Sequence, residues 1–459
     1  MSITSGVSGL KESIDGYFRI TERGSTFSNE IKGGIITFLS MTYILAVNPM
    51  ILEPAAVGYS FSELFTATAL SACIACLLMG LYARFPVALA PGMGLNAFLS
   101  FTICQGMGFT YEQGLLIVFL SGAMFLLVTV SGVRDRLVAA IPMSLKIAIS
   151  AGIGFFIALI DLYNTRIIVH GADSALGPGD FTDPGVLLAV LCIILTICLW
   201  YRRKWYAIIL GIIITWVIGA ILLQAGFTSN AHTLPDASLV SGITAPDLGL
   251  FAKVFTGFDM FPATLWVAFI GALVSMFIVD MFDTTGTLLA VSDMTGASEA
   301  KGGLSKAMRA DAAASMCGAV AGTSTTTSFI ESFVGLESGA RTGLLAVVVG
   351  LLFALAMVFS GIFSTITAAC TAGALILVGL IMVSNIRRIE WNDPVLCFSS
   401  LITVFMMGLA GSITDGIGIG IVAYVIGCIT VGRQKEIELP LWILFAIFLA
   451  YFVINAVLI

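Results

Sequence analysis

The feature that most limits what this chain can fold into is its succession of long apolar runs, which carry almost no charge. Of its 459 residues, 59% are hydrophobic and 10% are charged. Soluble domains carry about a quarter charged residues, and about 20 consecutive apolar residues suffice for a helix to cross a bilayer. The sequence therefore predicts an all-α polytopic membrane protein embedded in the lipid bilayer, and no nucleic acid is expected as a partner.

The apolar runs divide into fourteen segments and one extra segment at the C-terminus. Every Lys and Arg except Arg166 and Lys253 falls in alternate connecting loops when each of the fourteen segments crosses the membrane. Because basic residues favour cytoplasmic loops, this alternation predicts fourteen crossings and a cytoplasmic N-terminus. The extra segment, Leu439–Ile459, is either a fifteenth span or a stretch that lies along the membrane. The fourteen segments are 33–50, 64–83, 92–105, 113–132, 147–162, 186–200, 206–223, 263–290, 307–322, 328–339, 342–363, 369–386, 395–411 and 416–431.

The chain also carries an internal repeat. Alignment of "LSMTYILAVN" (39–48) with "VSMFIVDMFD" (274–283) matches a Ser-Met pair and lays Asn48 on Asp283. The same alignment lays Asn96 on Glu331. Because each half holds an odd number of crossings, the halves must have opposite orientations, which predicts 7+7 inverted repeats. The expected organisation is a cytoplasmic N-terminus (1–32), a first repeat with spans 1–7 (33–226), an extracytoplasmic loop (227–262), a second repeat with spans 8–14 (263–431) and a C-terminal loop with the extra segment (432–459).

Two short segments, the third and the tenth, stand at matching positions of the two halves. "PVALAP" (86–91) precedes the third and "TSTTT" (323–327) precedes the tenth, so each is expected to be extended chain followed by a half-helix. Irregular backbone at membrane depth is tolerated only where it is buried in protein or lines a cavity. Interrupted segments at matching positions of inverted repeats indicate the substrate site of a transporter. Each half-helix would direct its N-terminal N–H groups toward the bilayer centre.

Glu331 and Asp283 are the strongest candidates for function among four acids at or near membrane depth. A charge at the bilayer centre costs about 2.5–3.5 kcal/mol or more, so such residues usually serve a function. Glu331 is expected inside the tenth half-helix, with few basic residues nearby, where a carboxyl group could gain and lose a proton. Asp283 is expected at a helix break, and the threonines of "FDTTGT" after it suit a polar cavity.

Asp280, Asp311 and Asn96 are further candidates, each with a structural alternative. Asp280 precedes Asp283 by about one helical turn, and it either pairs with a basic residue, tunes Asp283 or is structural. Asp311 lies among small residues that favour tight helix packing, and it either links the site to the cytoplasm or orients its helix. Asn96 offers a donor and an acceptor that suit a heterocycle edge, or it forms an interhelical hydrogen bond. Asn48, before Pro49, is expected to satisfy backbone groups freed at a helix break.

The sequence predicts no metal site and no cofactor. The two histidines, His170 and His232, fall in connecting loops. Cys73 and Cys76 form a CxxC pair within an apolar segment, which favours packed thiols over a redox or metal pair. Without a His or Cys cluster, a nucleophile motif or a sizeable soluble domain, a membrane enzyme is disfavoured.

Four motifs together resemble the adenine/guanine/hypoxanthine permease family, a branch of the nucleobase–cation symporter-2 superfamily, over nearly the whole chain. They are "TYILAVNP", "ALAPGMGLNAF", "FDTTGT" and "GARTGLLAVVVGLLF". The resemblance implies a core and a gate domain, and uptake of purine nucleobases with protons, driven by the proton gradient. It also implies a homodimer in the cell membrane.

The resemblance further implies a substrate site at Asn96, Asp283 and Glu331, with proton coupling or support from Glu331, Asp311 and Asp280. An Asn at position 96 resembles the adenine permeases more than the hypoxanthine/guanine permeases. The alternative is an inorganic-anion exchanger on the same architecture, because half-helix ends suit an anion. Acids without a Lys or Arg beside them would repel an anion, so the purine transporter is favoured.

Overall fold

The computed structural model describes residues 12–132, 140–170, 176–202, 206–229, 234–258, 266–295 and 303–458. Over these residues the chain is mostly helical, and a short helix at 12–18 precedes the first long one. The helices are α1 (Phe27–Met41), α2 (Ile44–Leu52), α3 (Phe61–Leu77), α4 (Met93–Ala97), α5 (Tyr111–Ser131), α6 (Met143–Asn164), α7 (Pro184–Tyr201), α8 (Ala207–Gln224), α9 (Trp266–Thr295), α10 (Gly303–Ala321), α11 (Ser332–Glu337), α12 (Leu344–Ala356), α13 (Ser360–Phe363), α14 (Ala368–Ser384), α15 (Pro394–Leu409), α16 (Ile413–Thr430) and α17 (Leu439–Leu458). The strands are β1 (Leu89–Pro91), β2 (Ile168–Val169), β3 (Gly177–Pro178) and β4 (Thr326–Ser328).

Ten helices in the described ranges are long and apolar enough to cross a membrane, and two shorter apolar helices accompany them. The chain is therefore an integral membrane protein. The C-terminal helix α17 packs against α16 and α9. The count of fourteen crossings and the boundaries of the repeats stay predictions.

Several helices extend beyond the apolar segments predicted for them. The helix α1 begins at Phe27 because the Thr26 hydroxyl accepts the Asn29 N–H and so caps it. The helix α6 begins at Met143, which places Lys146 in its first turn and not in a loop. Helix ends are set by caps and packing, whereas the apolar run marks only the part that is suited to lipid.

The first span is broken at Thr42 and Tyr43, between α1 and α2. The Thr42 hydroxyl donates to the Phe38 carbonyl at 2.8 Å. A threonine hydroxyl that bonds to the carbonyl four residues earlier commonly bends a helix. The sequence places this break at Asn48 and Pro49, which is wrong because both residues lie inside α2.

The strands β1 and β4 come from opposite halves of the chain and pair antiparallel, with Pro91 opposite Thr326. At the two ends of the pairing, the Gly92 N–H donates to the Thr325 carbonyl and the Phe329 N–H donates to the Ala88 carbonyl, both at 3.0 Å. Hydrogen-bonded and non-hydrogen-bonded pairs alternate along such a ladder. Pro91 therefore occupies a non-hydrogen-bonded position, where its missing N–H removes no ladder bond.

Side chains satisfy further backbone groups of the first of these two segments. The Cys76 thiol lies 3.1 Å from the Leu89 carbonyl and 3.2 Å from the Leu89 nitrogen. The Ser332 hydroxyl accepts the Ala88 N–H at 3.0 Å. These bonds replace water in a buried environment, which explains why extended chain is tolerated inside a bundle of apolar helices.

Backbone contact between two glycines holds the second span against the start of α12. A Cβ atom on Gly343 would lie 2.5 Å from the Gly80 carbonyl oxygen and 2.7 Å from the Arg84 Cα. Neither backbone atom can move aside as a flexible side chain would. Small residues commonly allow such close approach between membrane helices.

Gly343→Ala is expected to lower the thermal unfolding midpoint of the detergent-purified protein by several degrees, because the added methyl group overlaps backbone atoms. The matched control is Gly242→Ala, since a Cβ at Gly242 meets nothing within 4 Å. The midpoint is measured by fluorescence during a temperature ramp. Equal midpoints for both variants would contradict the close packing at Gly343.

Candidate functional site

Six consecutive Ser and Thr residues, 323–328, form the centre of the site, and we call them the hydroxyl stretch. The stretch begins after α10 and ends with β4. All six residues are buried. Buried hydroxyl groups seek hydrogen-bond partners, and this stretch contacts most of the polar residues that the sequence predicts to be functional.

Two asparagines from the first half of the chain bond to the start of the hydroxyl stretch. The Asn48 amide nitrogen donates to Thr68 at 2.7 Å and to Thr323 at 2.9 Å. The Asn96 carbonyl oxygen accepts from the Ser324 hydroxyl. Asn48 therefore bridges side chains, and the prediction that it serves freed backbone groups is wrong. Asn96 is fully buried, and its amide nitrogen has no hydrogen-bond partner among the described residues.

Asp283 and Glu331 lie close enough for their charges to interact. Asp283 is surrounded by protein and yet exposed, so it faces a recess in the protein that we call the opening. The Thr327 side chain of β4 hydrogen-bonds to its carboxylate. Glu331 is half-buried and follows β4 by three residues. The structure thus brings together two of the three predicted substrate ligands.

Both acids differ from their predicted local settings. Glu331 immediately precedes α11, whereas the sequence predicts it inside the half-helix. Asp283 lies within the continuous helix α9, whereas the sequence predicts a break there. The repeat relates the two halves only approximately, because Asn96 lies inside α4 while Glu331 stands before α11. The halves have diverged where their side chains meet the opening.

Tyr43 completes the surroundings of Glu331, although the sequence analysis missed it. Its hydroxyl donates to the Glu331 Oε1 atom at 2.7 Å, and its ring is 2% exposed. The break between α1 and α2 places Tyr43 at this position. A buried Tyr usually finds a hydrogen-bond partner for its hydroxyl group. The position of Tyr43 in the apolar segment "TYILAVNP" therefore indicated that it has a polar partner inside the protein.

Asp280 and Asp311 form a second pair of carboxyl groups, fully buried behind the opening. They lie close enough to interact electrostatically. Asp311 accepts hydrogen bonds from Thr284 at 2.7 Å and from Ser328 at 3.1 Å. The Ser315 hydroxyl lies 3.0 Å from Asp280 and also 3.0 Å from the Thr326 carbonyl. Both acids are thus tied to the hydroxyl stretch, Asp311 directly and Asp280 through Ser315.

A lysine lies at the edge of the site, contrary to the expectation that none does. The Lys146 ammonium nitrogen lies 5.5 Å from the centre of the Phe282 ring, and Phe282 precedes Asp283. A cation at this distance from an aromatic face is attracted to it. The sequence analysis assigned Lys146 to a loop because the apolar run begins one residue later.

A family profile, described as Permease family, matches residues 28–454 of this sequence. The chain belongs to this family. The sequence is 35% identical over 448 residues to the adenine permease AdeQ of Escherichia coli strain K12, an alignment that covers 97% of each protein. It is 36% identical over 447 residues to the guanine/hypoxanthine permease PbuG of Bacillus subtilis strain 168, covering 95% of this chain and 99% of that relative. The resemblance to this permease family is thereby confirmed, and the chain is a transporter and not an enzyme.

Solved structures with low sequence identity share the fold. The transmembrane domain of the cyanobacterial bicarbonate transporter BicA superposes with a TM-score of 0.57 at 13% identity, over 85% of this chain and 97% of that one. SLC26A9 superposes with a TM-score of 0.58 at 11% identity, over 94% of this chain and 70% of that one. This likeness confirms the predicted fold class, an all-α membrane protein of the 7+7 inverted-repeat type.

Proposed function

We propose that this chain imports purine nucleobases by proton symport, with adenine favoured and hypoxanthine and guanine as further substrates. The whole-length relatives named as adenine and guanine/hypoxanthine permeases support purine uptake. The observation that carries the proposal for the site is the pair of carboxylates, Asp283 and Glu331, beside an internal opening next to β4.

The chemistry of a purine edge fits this pair. Ring N–H and exocyclic amino groups of a purine donate hydrogen bonds, and an ionised carboxylate only accepts them. Tyr43 occupies one oxygen of Glu331 and leaves the other oxygen for a base. The free amide nitrogen of Asn96 is a donor, so Asn96 would recognise an acceptor on another edge.

Proton symport follows from the same carboxyl groups. Two unneutralised carboxylates in a dry interior are costly, so a proton that enters with the base lowers the cost of closing the site around it. Glu331, Asp311 and Asp280 are the candidates to carry this proton. The proton gradient across the cell membrane would then drive accumulation.

Alternating access would come from movement of a core domain against a gate domain. The proposed core contains spans 1–4 and 8–11, and the gate contains spans 5–7 and 12–14, moving by an elevator-like or rocking motion. The pairing of β1 with β4 supports a core that moves as one unit. The contact of Lys146 with Phe282 would lie between the two domains. We propose a homodimer in the cell membrane with the N-terminus in the cytoplasm.

An inorganic-anion exchanger is the competing function, and the likeness to BicA bears only on the fold. Lys146 is a cation near the opening, but Asp283 and Glu331 line it. Two carboxylates would repel an anion, so the geometry favours a neutral base.

Asp283→Asn and Glu331→Gln are each expected to reduce radiolabelled adenine uptake at least about tenfold, since each removes a charged acceptor worth about 1.5–3 kcal/mol. Uptake is measured in cells that lack their own purine permeases, with surface expression checked for each variant. Asp236→Asn is the matched control, because Asp236 is a loop carboxylate that bonds only locally to Ser238. In exchange of preloaded for external adenine, Asp280→Asn is expected to be tolerated far better than Asp283→Asn.

Near-wild-type, pH-dependent uptake in both site variants would refute the proposed ligands. A competition panel with unlabelled hypoxanthine, guanine, xanthine and uracil then ranks the bases. Competition by sulfate or bicarbonate would favour the anion exchanger.

Tyr43→Phe is expected to raise the KM for adenine about tenfold or more with a smaller change in the maximal rate, because Glu331 loses the donor that orients it. The chain offers a closely matched control, since the Tyr59 hydroxyl donates to a different glutamate, Glu112, at a distance of 2.6 Å. Tyr59→Phe should leave KM unchanged. If both variants change KM equally, Tyr43 has no special role in positioning Glu331.

A further inference from the structure

We infer that Asp280 is the group that carries the transported proton, while Asp311 beside it stays ionised. This inference rests on the proposed proton symport and selects one among its three candidate acids. It follows from a count of hydrogen-bond donors and acceptors around the buried pair.

The count begins with Ser315, which has one hydroxyl proton and two acceptors in reach. Its oxygen lies 3.0 Å from the Asp280 Oδ2 atom and 3.0 Å from the Thr326 carbonyl oxygen. A carbonyl oxygen can only accept a hydrogen bond. When Ser315 donates its single hydroxyl proton to the Thr326 carbonyl, the proton in the hydrogen bond between Ser315 and Asp280 must therefore belong to Asp280. A protonated Asp280 completes both of these bonds.

The remaining oxygen of Asp280 agrees with a neutral acid. Asp280 is fully buried, and its Oδ1 atom has no hydrogen-bond partner among the described residues. An ionised carboxylate spreads its charge over both oxygens, and leaving one of them buried without a donor is costly. The carbonyl oxygen of a protonated carboxyl group carries much less charge and tolerates that position better.

Asp311 has the opposite arrangement, with a separate hydroxyl donor for each oxygen. Thr284 donates to Oδ2 at 2.7 Å and Ser328 donates to Oδ1 at 3.1 Å. Hydrogen bonds that donate to a carboxylate favour its ionised form. One ionised and one neutral carboxyl group also avoids two like charges side by side.

The charges that act on Asp280 are those of Asp311 and Asp283, and both favour its neutral form. Other charged groups stand on the helices packed against α9. Lys146 of α6 lies at the Phe282 ring. Glu112 on α5 accepts from Tyr59, and Asp415 lies in the first turn of α16. Arg309 is two residues from Asp311 on α10, and its Nε atom makes no hydrogen bond in the described part of the chain.

Release of the proton would change the hydrogen bonds beside the proposed substrate site. Asp280 takes up a proton from the water outside the cell, which forms its O–H bond. It later releases this proton to cytoplasmic water, which breaks that bond. The charge of Asp280 is therefore the charge that changes in each cycle. Once Asp280 is ionised, the Ser315 hydroxyl must turn to it, and the Thr326 carbonyl loses that donor. Thr326 adjoins Thr327, which bonds to Asp283.

Asp280→Asn tests the inference, because the amide is always neutral and can still donate to Ser315. Exchange of preloaded for external radiolabelled adenine is expected to stay within about threefold of wild type. Accumulation above equilibrium is expected to vanish, and an uncoupler should have no further effect. Accumulation in Asp280→Asn that an uncoupler abolishes, as in wild type, would overturn the inference.

Asp161→Asn is the matched control. Asp161 on α6 is 1% exposed, and its Oδ2 atom likewise has no hydrogen-bond partner among the described residues. This variant is expected to keep uncoupler-sensitive accumulation, and its loss would overturn a specific role for Asp280. Failure of the wild-type protein and of Asp161→Asn to transport adenine would refute the proposed function itself.

A second variant covers poor folding of Asp280→Asn. Ser315→Ala keeps the carboxyl group but removes the acceptor of its proton, so the accumulation ratio is expected to fall at least about fivefold while exchange persists. In purified protein, the adenine affinity of wild type should weaken as the pH rises, and the affinity of Ser315→Ala should change less. Full coupling and an unchanged pH profile in Ser315→Ala would count against Asp280.

Discussion

The pairing of β1 with β4 is the interaction on which the site depends. It joins an interrupted segment of the first half to an interrupted segment of the second half in the interior of the protein. Each strand is only three residues long, so neither could persist there alone. Together they satisfy one another's backbone groups, and side chains such as Cys76 and Ser332 satisfy others. The carboxylates of the proposed site lie where this pairing ends.

The hydroxyl stretch turns that pairing into a chemical centre. Ser and Thr hydroxyl groups can donate and accept without carrying charge, so they can serve amides, carboxylates and a backbone carbonyl at once. Asn48 and Asn96 bond to its first two residues, and Asp283 and Asp311 bond to its last two. A change at one of these side chains can therefore alter the hydrogen bonds of the others through about six residues of backbone.

The sequence predicted the fold class and the extended stretches before two half-helices, because apolar length and interruption are local properties. The resemblance to a permease family also placed Asp283 and Glu331 in one expected site. The sequence could not place the break of the first span, since the chain bends at Thr42, seven residues before Pro49, and Pro49 lies inside α2. Tyr43 and Ser315 were missed because their importance arises only from partners far along the chain. Lys146 was misplaced because hydropathy marks the lipid-facing length and not the helix start.

The register between β1 and β4 also limits how the chain can change in length. Successive side chains of a strand point to opposite sides, so a slip by one residue reverses every one of them. Deleting one residue from 323–328 would turn Thr327 away from Asp283. It would also move Pro91 into a hydrogen-bonded position of the ladder, where an N–H group is required. Surface loops usually tolerate a change of length, whereas here even one residue gained or lost would disrupt the proposed binding site and the proposed proton site together.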